Sequence, residues 1–116
     1  MSAPESPESS RYVRTVLDAY RSAPGTTGHL RPADRHLARD LYARGVALQT
    51  VLDALLLASA RRFVNATPAL KPPTVRSFAY FSHVIEELLR TPLDASYKHH
   101  LARTLVRSLG TFTSSH

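Results

Sequence analysis

The sequence contains no cysteine and no tryptophan, and only four of its 116 residues are glycine. The lack of cysteine excludes disulfide bonds, thiolate nucleophiles and cysteine-ligated zinc, and it favours a cytoplasmic protein. No glycine-rich phosphate loop is present. The first ten residues lack the basic stretch and apolar run of a secretory signal. The longest strongly apolar run, Val51–Ala58, is too short to cross a bilayer, so no membrane association is expected.

Acidic residues are also scarce: nine Asp and Glu stand against fifteen Lys and Arg, for a formal net charge of +6. Two of the nine, Glu5 and Glu8, fall in a Pro/Ser-rich leader, residues 1–10, that we expect to be disordered. The rest of the chain then has fifteen basic and seven acidic residues, a charge of +8. Such a surface favours nucleic acid or another polyanion as a partner, through attraction that is not specific for sequence.

The densest apolar content lies between Leu48 and Val64, where apolar residues recur at three- and four-residue spacing. The apolar stripe extends nearly all the way round this predicted helix, which therefore has to be buried. In a chain of this length it is expected to be the central helix of a small bundle.

Four further helices are predicted from apolar spacing and capping residues. They are a helix over Arg11–Ser22 capped by Ser9 or Ser10, one from Pro32 that ends at Gly45, one over Val75–Leu89 capped by Thr74, and one that runs to Leu109 and ends at Gly110. The last of these has Thr91 as its predicted N-cap, Pro92 at its first position and Asp94 as the capping-box acid. No strand alternation or internal repeat is present. The predicted class is an all-α, compact bundle of about five helices without a β-sheet, with one domain over residues 11–110 and a flexible tail over 111–116.

Neither metal binding nor catalysis is predicted. His83 and Glu87 lie four residues apart on a predicted helix, but a metal site needs three or four ligands, and no HExxH motif is present. Glu86 and Glu87 point in different directions and lack carboxylate partners, so acid–base chemistry has no support. We therefore expect a non-enzymatic protein without a metal or cofactor.

The last predicted helix separates two kinds of side chain. Tyr97, Leu101 and Leu105 repeat every four residues on one side, while Arg103 and Arg107 lie on the other, with Lys98 beside them. The second side is either a cationic ridge that binds phosphates or a solvated helix face without a partner. Arg61 and Arg62 end the central helix, where they suit the helix dipole and are also candidates for a phosphate clamp.

A helix-turn-helix motif is the specific alternative, with Gly45 in the turn and the central helix as its second helix. A recognition helix needs polar side chains to read base edges, and this one has almost none. Reading of a specific DNA sequence is therefore not favoured.

Two predicted helices share a further pattern. The central helix carries Val51, Ala54 and Leu55, and the helix after the proline-rich loop carries Arg76, Tyr80, Val84 and Ile85. From Gly45 to Leu89 this pattern resembles the C-terminal domain of DnaD-like primosomal proteins of bacterial and phage replication initiation. That family often has a tryptophan where Leu88 stands here. The resemblance implies a DNA-binding accessory of replication or of a mobile element, which holds DNA mainly by its backbone and works with protein partners of such a complex.

The sequence thus predicts sequence-tolerant binding of DNA, or of RNA, through the phosphate backbone. The candidate nucleic-acid-binding residues are Arg61, Arg62, Lys71, Arg76, Tyr80, Lys98, Arg103 and Arg107. In the alternative that stays open, the chain is a helical protein-interaction or dimerisation module with exposed aromatic or leucine side chains, and its arginines serve only solubility.

Overall fold

Residues 6–63 and 72–113 are described by a computed structural model, with side chains up to residue 109. Within these residues the chain forms five α-helices and no β-sheet, which confirms the predicted all-α bundle. The helices are α1 (Pro7–Ser22), α2 (Pro32–Ala43), α3 (Leu48–Phe63), α4 (Ser82–Arg90) and α5 (Ala95–Thr113), and a 3₁₀ helix, Phe78–Phe81, precedes α4. None of the helices in this part of the chain has the length and apolar character needed to cross a membrane.

Helix α3 occupies the centre of the bundle, as predicted. Val51, Ala54 and Ala58 are buried on it, and the side chains of α1, α4 and the 3₁₀ helix pack around it. Helix α2 begins at Pro32 and is followed by Gly45, which adopts a φ of 76°, so both predicted boundary signals are confirmed.

Helix α1 begins four residues before the predicted start. Its N-cap is Ser6, whose hydroxyl oxygen accepts a hydrogen bond from the Ser9 amide at 3.0 Å, and Pro7 follows at the first helical position. Ser9, predicted as a cap in a disordered leader, is instead a buried helical residue. The prediction of a leader over residues 1–10 was therefore wrong from Pro7 onward, because Ser6 and Pro7 form a complete start signal ahead of the first apolar residue. Residues 1–5 lie outside the described residues.

The prediction of one helix over Val75–Leu89 was also wrong. Val75 is extended and forms an isolated parallel bridge with Thr26. The side chain of Ser77, not that of Thr74, caps the turn that follows, and the α-helix proper begins only at Ser82. Apolar residues keep helical spacing through both the 3₁₀ helix and α4. The spacing therefore did not indicate where the backbone changes to an α-helix.

Both boundaries of the last helix differ from the prediction. The Asp94 carboxylate accepts hydrogen bonds from the amides of Ser96 and Tyr97, at 3.0 and 3.3 Å. Asp94 thus takes the capping role that was predicted for Thr91, because its short side chain stands directly before the first turn. Gly110 lies within α5 and does not end it, so residues 111–113 of the predicted tail are helical. The remaining tail lies outside the described residues.

The core contains a ring cluster that joins α1 to the 3₁₀ helix. Tyr20 lies 5.5 Å from Phe78 and 6.0 Å from Phe81, measured between ring centroids, and all three side chains are fully buried. On the other side of α3, helix α5 packs through Leu101 and Leu105. The bundle therefore has a well-packed side formed by α1, α2 and α4 and a single helix, α5, laid across α3.

Candidate nucleic-acid interface

Two irregular segments meet beside the C-terminal end of α3. The Val75 amide donates to the Gly25 carbonyl at 2.7 Å, and the Thr27 amide donates to the Val75 carbonyl at 3.1 Å. Gly25 has a φ of 77°, a conformation that side chains with a Cβ rarely adopt. These two hydrogen bonds hold the α1–α2 loop against the segment before the 3₁₀ helix and form a floor for the side chains above.

Arg62 extends from the last turn of α3 over this floor. Its guanidinium donates to the carbonyl oxygen of Pro24, at 3.3 Å, and to that of Pro73. A Cβ at Gly25 would lie 2.8 Å from Arg62 Nη1, so the close approach also requires glycine there. The guanidinium carbon lies 5.6 Å from the ring centroid of Tyr80, within cation–π distance. Among the residues that the structure describes, the partners of Arg62 are thus neutral groups, which do not cancel its positive charge.

The segment before the 3₁₀ helix also contacts Arg31, which precedes α2. The Arg31 side chain donates to the Arg76 carbonyl oxygen at 2.7 Å. Below them, the Asp34 carboxylate accepts from the backbone amides of Arg31, at 2.9 Å, and Phe78, at 3.0 Å. Asp34 is only 1 % exposed, so it joins the start of α2 to the 3₁₀ helix without presenting its charge at the surface.

The side chain of Tyr80 is 46 % exposed beside these arginines. Its ring meets Phe81 at a centroid distance of 5.2 Å and an interplanar angle of 81°, and it lies 6.3 Å from His83. We name the set Arg31, Arg62, Arg76 and Tyr80 the Arg62–Tyr80 surface. It combines the Arg62 guanidinium, which lies over one accessible aromatic ring, with two exposed arginines on the adjoining segments. Guanidinium groups bind phosphates, and aromatic rings stack on bases.

Arg61 has a different environment from its neighbour. Its two terminal nitrogens donate to the two carboxylate oxygens of Glu87 on α4, at 2.9 and 2.6 Å. The hydrogen bond from Arg61 lowers the pKa of Glu87, and the hydrogen bond to Glu87 raises the pKa of Arg61. Arg61 is therefore paired with a carboxylate and joins α3 to α4, whereas Arg62 contacts carbonyl oxygens.

The remaining candidates lie on α5 or outside the described residues. Lys98 pairs with Asp53 of α3 at 3.2 Å, with the two side chains 30 % and 12 % exposed. Arg103 and Arg107 are exposed. Lys71 lies outside the described residues. The structure thus places Arg62 over Tyr80, joins Arg31 to the backbone of Arg76 on the segment before the 3₁₀ helix, and puts the cations of α5 on a different element.

Arg31 was not among the predicted site residues, although the sequence contained a partial signal. It begins a row with Arg35 and Arg39, within which Asp34 and Asp40 offer neighbouring negative charges. Asp34 instead faces the core and binds backbone amides. The carboxylate of Asp34 is therefore buried, whereas Arg31 is exposed at the surface. A local sequence pattern does not reveal the burial of Asp34.

The described residues contain no group of three or more His, Asp or Glu side chains that is suited to a metal ion. Comparison with known protein families, with curated proteins and with solved structures finds no match.

Proposed function

We propose that the protein is a non-enzymatic nucleic-acid-binding module that holds DNA or RNA through the phosphate backbone, with the Arg62–Tyr80 surface as its principal contact. The observation that carries this proposal is the Arg62 guanidinium, which is fixed by two carbonyl oxygens and stands over an exposed tyrosine ring. A guanidinium held by neutral partners keeps its charge available to an incoming phosphate. Its side chain is also already ordered, which lowers the entropy lost on binding.

Affinity in this scheme comes from the release of counterions as the guanidinium groups approach phosphates. The Tyr80 ring adds stacking, which tolerates any base because every base has a π face. Contacts to the phosphate backbone do not depend on the identity of the bases, and binding is accordingly tolerant of sequence. Arg103, which is exposed on α5, would extend the contact. Arg61 and Lys98 contribute less because each already pairs with a carboxylate.

The resemblance to DnaD-like proteins supports a narrower form of the proposal. Arg76 and Tyr80, two of the residues that carry the resemblance, both belong to the Arg62–Tyr80 surface. On that basis we propose a cytoplasmic accessory of DNA replication or of a mobile element, with protein partners in the same complex.

The test is fluorescence anisotropy with labelled single-stranded DNA, double-stranded DNA and single-stranded RNA, titrated over a range of salt concentrations. With three or four phosphate contacts, the logarithm of the binding constant should fall against the logarithm of salt with a slope of about −3. Arg76→Ala should weaken binding to all three and reduce that slope by about one. This variant is chosen because Arg76 contacts Arg31 through its backbone carbonyl, which the substitution keeps.

Arg11→Ala provides the matched control. Arg11 is exposed near the start of α1. Its neighbour Tyr12 donates a hydrogen bond to Val46, just before the start of α3, whereas Arg62 lies near the C-terminal end of α3. Arg11 is therefore at the opposite end of α3 from the proposed surface. Loss of this charge should leave the affinity almost unchanged. If the protein does not bind at low salt, or if both variants lose affinity equally, the proposed surface is wrong, and the protein-interaction module becomes the better hypothesis.

A further inference from the structure

A second cationic site lies between α1 and α2. The two helices pack against each other and leave an open cleft of about 290 Å³, which we name the α1–α2 cleft. Its floor is apolar and consists of Val13 and Leu17, which are buried, and Leu30, which is partly buried. The volume is close to the lower end of the range for ligand pockets, about 300–1,000 Å³, so the cleft suits a small ligand or one end of a larger one.

Two arginines from different helices line this cleft. Arg14 belongs to α1 and Arg35 to α2, and both residues are exposed. In the part of the chain that the structure describes, no carboxylate pairs with either guanidinium. Both charges are therefore available to a ligand, and each guanidinium can donate two parallel hydrogen bonds to an oxyanion.

The acidic residue that lines the cleft does not cancel these two charges. Asp18 lies one helical turn after Arg14 on α1, but its carboxylate pairs with Arg21, at 3.2 Å. Arg21 is not a lining residue, so this pair leaves the cleft with the charges of Arg14 and Arg35. Ser10, which also lines the cleft, is neutral. The lining residues themselves therefore favour an anion, and one that carries two charges suits them best.

We propose that the α1–α2 cleft binds a phosphate monoester, which is either a small phosphorylated molecule or the terminal phosphate of a nucleic acid. A monoester carries a charge of about −1.5 to −2 at neutral pH and has three acceptor oxygens, which match two guanidinium groups. A backbone phosphate fits less well, because it carries a single charge and is substituted on both sides. The apolar floor can pack against the carbon atoms next to the phosphate. The proposal goes beyond the Arg62–Tyr80 surface and rests on different residues.

The probe is phenyl phosphate, which joins a phosphate monoester to an apolar ring. Its titration into the native protein, followed by backbone amide chemical shifts, should change the shifts of Val13, Leu17 and Leu30. Phenyl methyl phosphate, a diester with the same ring and a single charge, is the control ligand and should bind at least about fivefold more weakly. Equal affinity for the two ligands would refute the preference for a monoester. Shift changes confined to the Arg62–Tyr80 surface would refute the location.

Arg14→Ala and Arg35→Ala should each weaken the binding of phenyl phosphate at least about fivefold, because each removes one charged donor. Arg90→Ala is the matched control, since it removes an exposed arginine from the end of α4, which does not line the cleft, and it should leave the affinity unchanged. Equal losses in all three variants would show that only the net charge of the protein matters, and would overturn the proposal.

Two oligonucleotides of the same sequence identify the source of the phosphate. One ends in a phosphate monoester and the other in a hydroxyl. If the terminal phosphate tightens binding to the native protein but not to Arg14→Ala, the cleft holds the end of a nucleic acid. If the two strands bind equally while phenyl phosphate still binds in the cleft, the ligand is a small phosphorylated molecule. The strand that ends in a hydroxyl tests the Arg62–Tyr80 surface by itself, so the failure of one proposal is distinguishable from the failure of the other.

Discussion

Replacement of Tyr20 by phenylalanine should make the protein more stable. The Tyr20 side chain is fully buried, and its hydroxyl has no hydrogen-bond partner among the residues that the structure describes. A buried polar group without a partner costs about 1–3 kcal/mol relative to its hydrated state. Tyr20→Phe removes that group and keeps the ring contacts with Phe78 and Phe81. The free energy of unfolding should therefore rise by about 1–2 kcal/mol.

Tyr12→Phe is the matched control, because the same atom is removed from a different environment. The Tyr12 hydroxyl is buried as well, but it donates to the Val46 carbonyl at 2.8 Å. Its loss leaves a buried acceptor with one partner fewer and should lower the free energy of unfolding by about 0.5–1.5 kcal/mol. Two chemically identical substitutions are thus expected to have opposite signs.

Urea unfolding followed by circular dichroism at neutral pH measures both changes. With an m-value of about 2 kcal/mol per molar urea, the midpoint should rise by about 0.5–1 M for Tyr20→Phe and fall for Tyr12→Phe, at unchanged m. If Tyr20→Phe destabilises the protein as much as Tyr12→Phe does, the Tyr20 hydroxyl has a partner in solution, and the reasoning from its isolation is refuted.

The same hydroxyl should affect stability at alkaline pH. Burial, reinforced by the nearby Asp34 carboxylate, raises the pKa of Tyr20 in the folded protein. Above the ordinary tyrosine pKa of about 10 the unfolded chain loses this proton while the folded chain keeps it, so stability falls as the pH rises. Tyr20→Phe should remove that part of the alkaline loss, and its advantage over the native protein should grow above this pH.

Three further substitutions test the scaffold around the Arg62–Tyr80 surface. Gly25→Ala should cost at least about 1–2 kcal/mol in thermal unfolding, because it puts a Cβ at positive φ and against Arg62, and an unchanged melting temperature would contradict the close approach. Asp34→Ala should cost about 3 kcal/mol through the loss of two hydrogen bonds to a buried carboxylate, and a loss below 1 kcal/mol would show that water replaces them. Arg61 lowers the folded-state pKa of Glu87, so the contribution of Glu87 is present above its unfolded pKa of about 4.3 and is lost as the pH falls through the lower folded value. Glu87→Gln should therefore reduce the difference in urea midpoint between pH 7 and pH 3, and a difference equal to that of the native protein would show that the pair does not contribute.

The central part of the fold was predictable because its signals are local. Pro32 and Gly45 fix the backbone conformation at their own positions, and the apolar stripe of α3 is wide enough to require burial whatever surrounds it. The extended conformation of Val75 was not predictable in this way, because its partner Thr26 lies 49 positions away. Similarly, Asp94 and Thr91 are both good N-caps, and the choice between them depends on how α5 meets α3.

For the candidate site, the sequence indicated the kind of residue but not its environment. Arg61 and Arg62 are adjacent and chemically identical, yet Glu87 binds one and two carbonyl oxygens bind the other. Neighbouring residues on a helix point about 100° apart, so each meets a different part of the bundle. Whether a basic residue keeps an available charge depends on these tertiary contacts, which composition and spacing do not contain.

The bridge between Thr26 and Val75 also bears on the order in which the protein folds. It closes a chain segment that contains the whole of α2 and α3, and closure of a loop of this length costs about 3 kcal/mol in chain entropy. The two backbone hydrogen bonds across the bridge contribute only about 2 kcal/mol, which is less than this entropy cost. The bridge therefore needs the packing of Phe78 and Phe81 to bring the two chain segments together. We therefore expect the floor beneath Arg62 to form late in folding, and its two amide protons should exchange with solvent sooner than those of α3. A polyanion that binds the closed form of this floor would stabilise the closed loop. Binding of the polyanion and closure of the loop would therefore increase together.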